Sequence, residues 1–450
     1  MTAPVIVPRG DHPISRRNID AEALKVLYRL HEHGYTAYLV GGSVRDLILG
    51  RRPKDFDIGT DAHPYQIKKL FRNCWIIGRR FRLAHIKFGA KTIEVATFRR
   101  VVTDPAADPS GPEEGGRQED SQVVASFPEP AATDATGSTV DQIHRDNTFG
   151  TPEEDAFRRD FTINGLFYDI SNFSIIDYVG GLGDLERRVV RSIGDPRVRF
   201  VEDPVRMLRA AVMGARLGFD MDPLVSEAIA EHRELITKAS PARLLEEYYK
   251  ILRSGSAEAT FSAMSRMRLL ELITPELETL PPRVSDSLAR LDRYRARFTA
   301  PPPELTNTML IGALLEPLGI LARPPAPGRE PHGRDDRISF GILPAARKDV
   351  ERLRQVVDLA PRLLDPNLPP RLVRSLPHRP AFLDALTWLE IGGAEPDVIA
   401  GWKEARQHRG PAPEPARSDD AETPAGPNGP RRRRRRRRRR GRKQAPPSGS

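Results

Sequence analysis

Apolar positions recur at helical spacing over residues 20–33 (DAEALKVLYRLHEH), at Leu24, Leu27, Tyr28 and Leu30. Asp20 is placed to cap that helix and Gly34 to stop it. Short apolar runs follow in TAYLVGG, DFDIGT, CWIIG, HIKFGA and KTIEVATF, and they predict strands. HPYQIKKLF (63–71) reads as a helix among them. In IEVATFR the alternation puts Glu94, Ala96 and Phe98 on one face and Ile93, Val95 and Thr97 on the other. A helix-then-sheet run of this kind predicts an α+β unit.

Residues 101–146 break the pattern. They are rich in Pro, Gly, Ser, Asp and Glu and hold no sustained apolar period, so they read as a mobile insertion. Helical periodicity then dominates, in LLEEYYKIL, FSAMSRMRLLELI, LTNTMLIGALLEPLGIL, KDVERLRQVVDLAPRLL and PAFLDALTWLEI. Pro-rich breaks fall near 301–303 and 323–334, and no repeat of solenoid period stands out. The boundaries drawn are an N-terminal extension (1–19), an α+β head (20–190), a helical neck (191–260), a helical body (261–410) and a tail (411–450).

Charge changes the picture only at that tail. The net charge of the 450-residue chain is +10. Residues 411–450 hold 13 Lys/Arg against 4 Asp/Glu, a net of +9, so the rest of the chain sums to about +1. Residues 431–443 carry twelve positive charges in thirteen positions. Such a run cannot pack a core and reads as a disordered arm with affinity for RNA phosphates. An anionic membrane surface or a partner protein is the alternative target. The N-terminus lacks a long apolar stretch, no apolar run reaches membrane-span length, and Cys74 is the single cysteine. These features predict a cytoplasmic protein without disulfides.

The densest chemistry lies in LVGGSVRDLILGRRPKDFDIGT (39–60). A strand runs into Gly41-Gly42, a helical segment carries Arg45 and Asp46, and an expected second strand holds Asp55 and Asp57. Alternate strand residues share a face, so the two carboxylates point one way, as Mg²⁺ needs when water and a substrate phosphate complete its shell. The glycines let backbone N–H groups approach a phosphate. Either element alone is usually surface charge or an ordinary turn; together they point to nucleotidyl transfer. Two further clusters follow. EEDAFRRDFTINGLFYD (153–169) sets Arg158, Arg159, Asp160 and Asn164 before an apolar strand, with arginines suited to phosphate or ribose. EDPVRMLRAAVMGARLGF (202–219) predicts a helix after Pro204, with Asp203, Arg206 and Arg209 at three-residue spacing.

These three segments resemble the signatures of the class II nucleotidyltransferases, the superfamily of bacterial poly(A) polymerases and CCA-adding enzymes. The resemblance implies a polymerase-β-like palm followed by an all-α neck and body. It implies that Asp55 and Asp57 bind two Mg²⁺ ions and that Gly41, Gly42 and Arg45 hold the incoming triphosphate. It carries Asp160 over as a further active-site carboxylate, ahead of Glu94, which is a candidate by position and equally a rim ion-pair partner. Arg159 becomes a nucleotide contact, and Asp203, Arg206 and Arg209 orient and select the base. Val212-Met213-Gly214 departs from the bulkier Arg-Phe pair usual there, which puts local packing in doubt. GRRFRLAH (78–85), the VPRGDHPISRRNID extension and the Arg-rich tail resemble the poly(A) polymerase branch. ATP and RNA 3′ ends are the expected substrates, and RNA-decay machinery an expected partner. A CCA-adding enzyme, and an RNA-binding protein with a vestigial nucleotidyl site, remain the alternatives.

Overall fold

The computed structural model describes residues 3–78, 82–89, 91–100, 149–322, 338 and 340–407. The expected insertion, Arg79 and Arg80 of the GRRFR cluster, and the basic tail lie outside the described residues.

Helix α1 (Ala21–Glu32) starts where expected. The Asp20 carboxylate accepts from the amides of Glu22 and Ala23, and Gly34 follows in the left-handed region. Its buried stripe is Ala23, Val26, Leu27 and Leu30. Tyr28 falls outside that stripe, and its hydroxyl accepts from Arg16 instead. The chain then builds the head sheet: β1 (Val5–Val7), β2 (Ala37–Val40), β3 (Asp57–Thr60), β4 (Cys74–Ile77), β5 (Leu83–Phe88), β6 (Lys91–Thr97), β7 (Leu166–Asp169) and β8 (Ser174–Asp177). The order is β1-β8-β7-β2-β3-β6-β5-β4, and only the β3–β6 pair is parallel. The N-terminal segment read as an extension therefore adds an edge strand to the head. Three residues are too few to declare a strand by period.

One sheet face carries the main core, with Leu39, Ile58, Ile86, Ile93 and Val95 packed toward α1 and α3 (Pro64–Leu70). The other carries a smaller cluster of Val40, Phe98, Ala156, Phe167 and Ile176. Gly59 is required there: a Cβ would sit 2.5 Å from the Phe98 ring.

β3 is shorter than expected. The last ladder pair is Val40 with Asp57. Upstream of Asp57 the partner chain has already turned into Gly41, so Asp55 has nothing to pair with and lies in the loop before the strand. Helices α2 (Gly42–Ile48), α4 (Pro152–Arg158), α5 (Gly181–Arg187), α6 (Pro196–Glu202) and α7 (Val205–Leu217) frame the site. The remainder is helical through Gln407. The run expected as one helix over FSAMSRMRLLELI is two, Ala257–Arg266 and Leu270–Ile273, broken where Arg268 takes a positive φ.

Candidate active site

The turn after β2 comes first. Gly41 has φ 70, and a Cβ there would stand 2.9 Å from the Arg159 guanidinium. Glycine is thus needed both for the backbone and for the close approach of the arginine. The turn delivers the chain into α2, whose first residues line a cleft of about 300 Å³. Gly41, Gly42, Arg45, Asp55, Asp57 and Arg159 all line it. Six of the residues singled out by sequence therefore meet in one place.

Arg45 lines the cleft, but the protein engages its guanidinium. It is 2% exposed, and its donors face the protein. Nε and Nη2 donate to Asp46 at 2.9 and 2.7 Å, and Nη1 donates to Asn164 Oδ1 and lies 3.5 Å from Met213 Sδ. Burial lowers its pKa from the ordinary arginine value, and Asp46 opposes that shift. The Asp46 carboxylate also pairs with Arg216 of α7 at 3.2 Å. Arg45 thus braces the glycine turn from behind.

The carboxylates sit on the open sheet face. Asp57 begins β3, and Glu94 on β6 lies level with it, one step before the Ile58–Val95 pair. Burial, then the charges of Glu94 and Asp55, push Asp57 up to about 6, with Arg159 acting the other way. Asp57 is exposed as a residue, while the protein around its carboxylate desolvates it. Asp55 is largely exposed and stands 3.6 Å from Lys54. Three anions held together at this cost fit a hard divalent cation. Among the described residues no group of three or more His, Cys, Asp or Glu side chains is gathered closely enough to hold a metal ion by itself, so any Mg²⁺ here would take its remaining ligands from water and substrate phosphate.

Asp160 stands elsewhere. Its two oxygens accept from Arg206 Nε at 2.9 Å and Arg209 Nη1 at 2.6 Å, and it is not among the residues lining the carboxylate cleft. Burial alone would raise its pKa, but the two guanidinium groups outweigh burial and hold it below the usual carboxylate range. Glu94 is the carboxylate level with Asp57 in the sheet, whereas Asp160 stands with Arg206 and Arg209. Asp203, which closes α6, pairs with Arg243 at 2.6 Å. Arg206 also reaches Glu202 at 2.8 Å. Asp203, Arg206 and Arg209 thus gather at the start of α7 but are engaged by protein partners.

Arg159 donates to Asp155 at 3.0 Å, lies over the Phe167 ring at 5.3 Å, and leaves a buried Nε with no protein partner. Asn164 Oδ1 accepts from Arg45, and two residues earlier the Thr162 hydroxyl donates to the buried Asp184 at 2.6 Å. Sequence reasoning missed Asp46, Lys54 and Arg216 as cleft residues. Arg216 continues the Arg209–Met213 stripe at helical spacing, a signal the periodicity contained. Met213, read only as a packing departure, touches Arg45 and lines the cleft.

An α+β sheet with carboxylates beside a glycine turn, joined to a helical neck, defines a nucleotidyltransferase head. Residues 37–191 match the model of the poly A polymerase head domain, and residues 218–280 match that of the probable RNA and SrmB-binding site of polymerase A. Poly(A) polymerase I of Salmonella typhimurium is 46% identical over 275 residues, 60% of this chain and 54% of that protein. The CCA-adding enzyme of Bacillus pumilus is 33% identical over 272 residues, 60% of this chain and 59% of that one. The crystal structure of the Bacillus stearothermophilus CCA-adding enzyme in complex with CTP superposes with a TM-score of 0.56 at 25% identity, covering 86% of this chain and 82% of that one. Over residues 37–191 and 218–280 the chain is thus similar to the class II nucleotidyltransferases, with relatives among both poly(A) polymerases and CCA-adding enzymes. It spans about half the length of the poly(A) polymerase it matches best among these. Among the described residues no helix is long and apolar enough to cross a membrane.

Proposed function

We propose that the protein adds AMP from ATP to RNA 3′ ends without a template. The observation that carries this reading is the meeting of Asp55 and Asp57 with the Gly41-Gly42 turn and Arg159 in one cleft, with Glu94 level with Asp57 in the sheet. The higher identity to a poly(A) polymerase than to a CCA-adding enzyme supports adenylate as the product, 46% against 33%.

In the reaction the RNA 3′ oxygen attacks the α-phosphorus of ATP. A new P–O bond forms as the bond to the bridging oxygen breaks in line, pyrophosphate leaves, and the hydroxyl proton passes to solvent. Asp55 and Asp57 would hold Mg²⁺, which would supply charge neutralisation and a more acidic attacking hydroxyl. Gly41, Gly42 and Arg159 receive the triphosphate, and the buried Arg45 keeps their turn in place. Asp203, Arg206 and Arg209 orient and select the base. Asp160 holds those two arginines at the spacing the base requires. The same reading places the enzyme in the cytoplasm, with the RNA-decay machinery as a partner.

The test is incorporation of each labelled NTP on a short RNA. Long tracts from ATP alone are expected. A product that requires CTP as well as ATP, ending in CCA on tRNA, would select the CCA-adding alternative. No incorporation from any NTP with Mg²⁺ present would leave an RNA-binding protein with a vestigial site.

A further inference from the structure

The open face of the head sheet carries a row of side chains that the active site uses only in part. Trp75 of β4 lies opposite His85 of β5, and His85 lies opposite Glu94 of β6. Glu94 is level with Asp57 through the parallel β3–β6 register. Directly opposed residues share a face, so Trp75, His85, Glu94 and Asp57 form one line across four strands. Burial agrees. Cys74, Ile86, Ile93 and Ile58 take the other face and are buried, whereas Trp75 and Ile77 are 51% and 47% exposed. His85 Nε2 stands 3.6 Å from Glu94 Oε1, which ties the middle of the row together.

An exposed tryptophan on an edge strand invites unwanted association, so its presence calls for a use. Lys87, on the same face as His85, brings its ammonium to 5.2 Å from the Trp75 ring centroid. An aromatic plate and a cation thus share one exposed spot on the face that leads to the catalytic carboxylates. That combination suits single-stranded nucleic acid: bases stack on aromatic rings with little sequence preference, and a cation meets the phosphate.

We propose that Trp75 and Lys87 form a stacking platform for the RNA strand upstream of its 3′ end, with the strand crossing the sheet from Asp57 over His85 to the edge. The proposal rests on the RNA 3′ adenylation reading and names where that substrate lies. Strands are spaced about 4.8 Å apart, which sets Trp75 about 14 Å from Asp57. At roughly 3.4 Å per stacked nucleotide, the platform meets a base about four nucleotides upstream of the terminus. Stacking there should therefore depend on primer length.

The experiment compares Trp75→Ala and Trp75→Phe with wild type on oligoadenylates of three and ten nucleotides. Trp75→Ala should raise the KM for the ten-mer about five- to 150-fold, the size of one base–aromatic stack. KM for the three-mer and for ATP should stay unchanged, and Trp75→Phe should restore most of the loss. Lys87→Met should flatten the slope of log affinity against log salt by about 0.7. A second readout needs no catalysis: ten-mer binding should quench tryptophan fluorescence in wild type and not in Trp75→Phe. Equal effects on both primer lengths, or no difference in quenching, would overturn the platform. Unchanged RNA affinity in Trp75→Ala together with loss of a protein contact would assign the edge to a protein partner and overturn it as well. Length-dependent quenching without incorporation of any NTP would keep the platform and remove the adenylation reading.

Discussion

Two charged regions lie side by side in this molecule and are built on opposite principles. At the sheet cleft, Asp55 and Glu94 lie near Asp57, which is pushed up to about 6 even with Arg159 acting the other way. In the neck, Asp160 and Asp203 meet Arg206, Arg209 and Arg243 in pairs as short as 2.6 Å. The first region is electrostatically unfinished and gains from a ligand that brings positive charge. The second is finished within the protein, so a nucleotide arriving there finds arginines already aimed. Like residue types thus do unlike work, and the difference lies in whether their partners belong to the chain.

The sharpest way to break this contrast is at Asp57. Asp57→Asn should cut incorporation by about a thousandfold, roughly 4 kcal/mol of barrier, while the melting temperature holds or rises. Removing a crowded negative charge relieves repulsion that folding otherwise sustains. Activity within tenfold of wild type would show that the carboxylate cluster is not the reaction centre.

Asp160→Asn should behave in the reverse manner. It strips both arginines of their carboxylate in a largely buried setting, so stability should fall by about 2–3 kcal/mol. Because its native pKa is depressed, the stability that Asp160 contributes is whole above its ordinary value of 3.8 and is lost only as pH falls through the lower native value. The difference in unfolding free energy between wild type and variant should therefore be flat from about pH 8 to 5. A difference that shrinks within that window would contradict the assigned pairing.

Gly41→Ala comes next in size. The positive φ and the 2.9 Å approach to Arg159 both oppose a methyl group. A loss of about 1–2 kcal/mol is expected, with a raised KM for ATP and little change in KM for RNA. An unaltered KM for ATP would separate the turn from the triphosphate.

How much of this was legible in the sequence follows the range of the interactions. The helix 20–33, five of the head strands and the grouping of Gly41, Gly42, Asp55 and Asp57 rest on local period and spacing, and the structure keeps them. The end of β3 was not legible, because it is set by where the partner strand turns away. Nor was the place of Glu94. A motif match drew attention to Asp160, whereas register across β3 and β6 puts Glu94 level with Asp57. The Asp46–Arg216 pair joins positions 170 residues apart, and no local pattern announces it. β1 was missed because Val5–Val7 becomes a strand only by pairing with β8.

The smallest effect expected is at Arg243, and it tests whether the finished region is also a selective one. Its pair with Asp203 is about half exposed on the arginine side, so Arg243→Ala should change stability by less than about 1 kcal/mol. If Asp203 reads the base edge, however, releasing it from Arg243 frees its carboxylate to rotate. Relative kcat/KM for ATP over CTP should then shift by about threefold, a fraction of the roughly 1–3 kcal/mol carried by a base-edge contact. Asp203→Ala should collapse the ratio further, and the double variant should match Asp203→Ala alone, since Arg243 acts only through Asp203. Additive losses in the double variant would mean that Arg243 meets the nucleotide or RNA directly, and an unchanged ratio in all three would remove Asp203 from base selection.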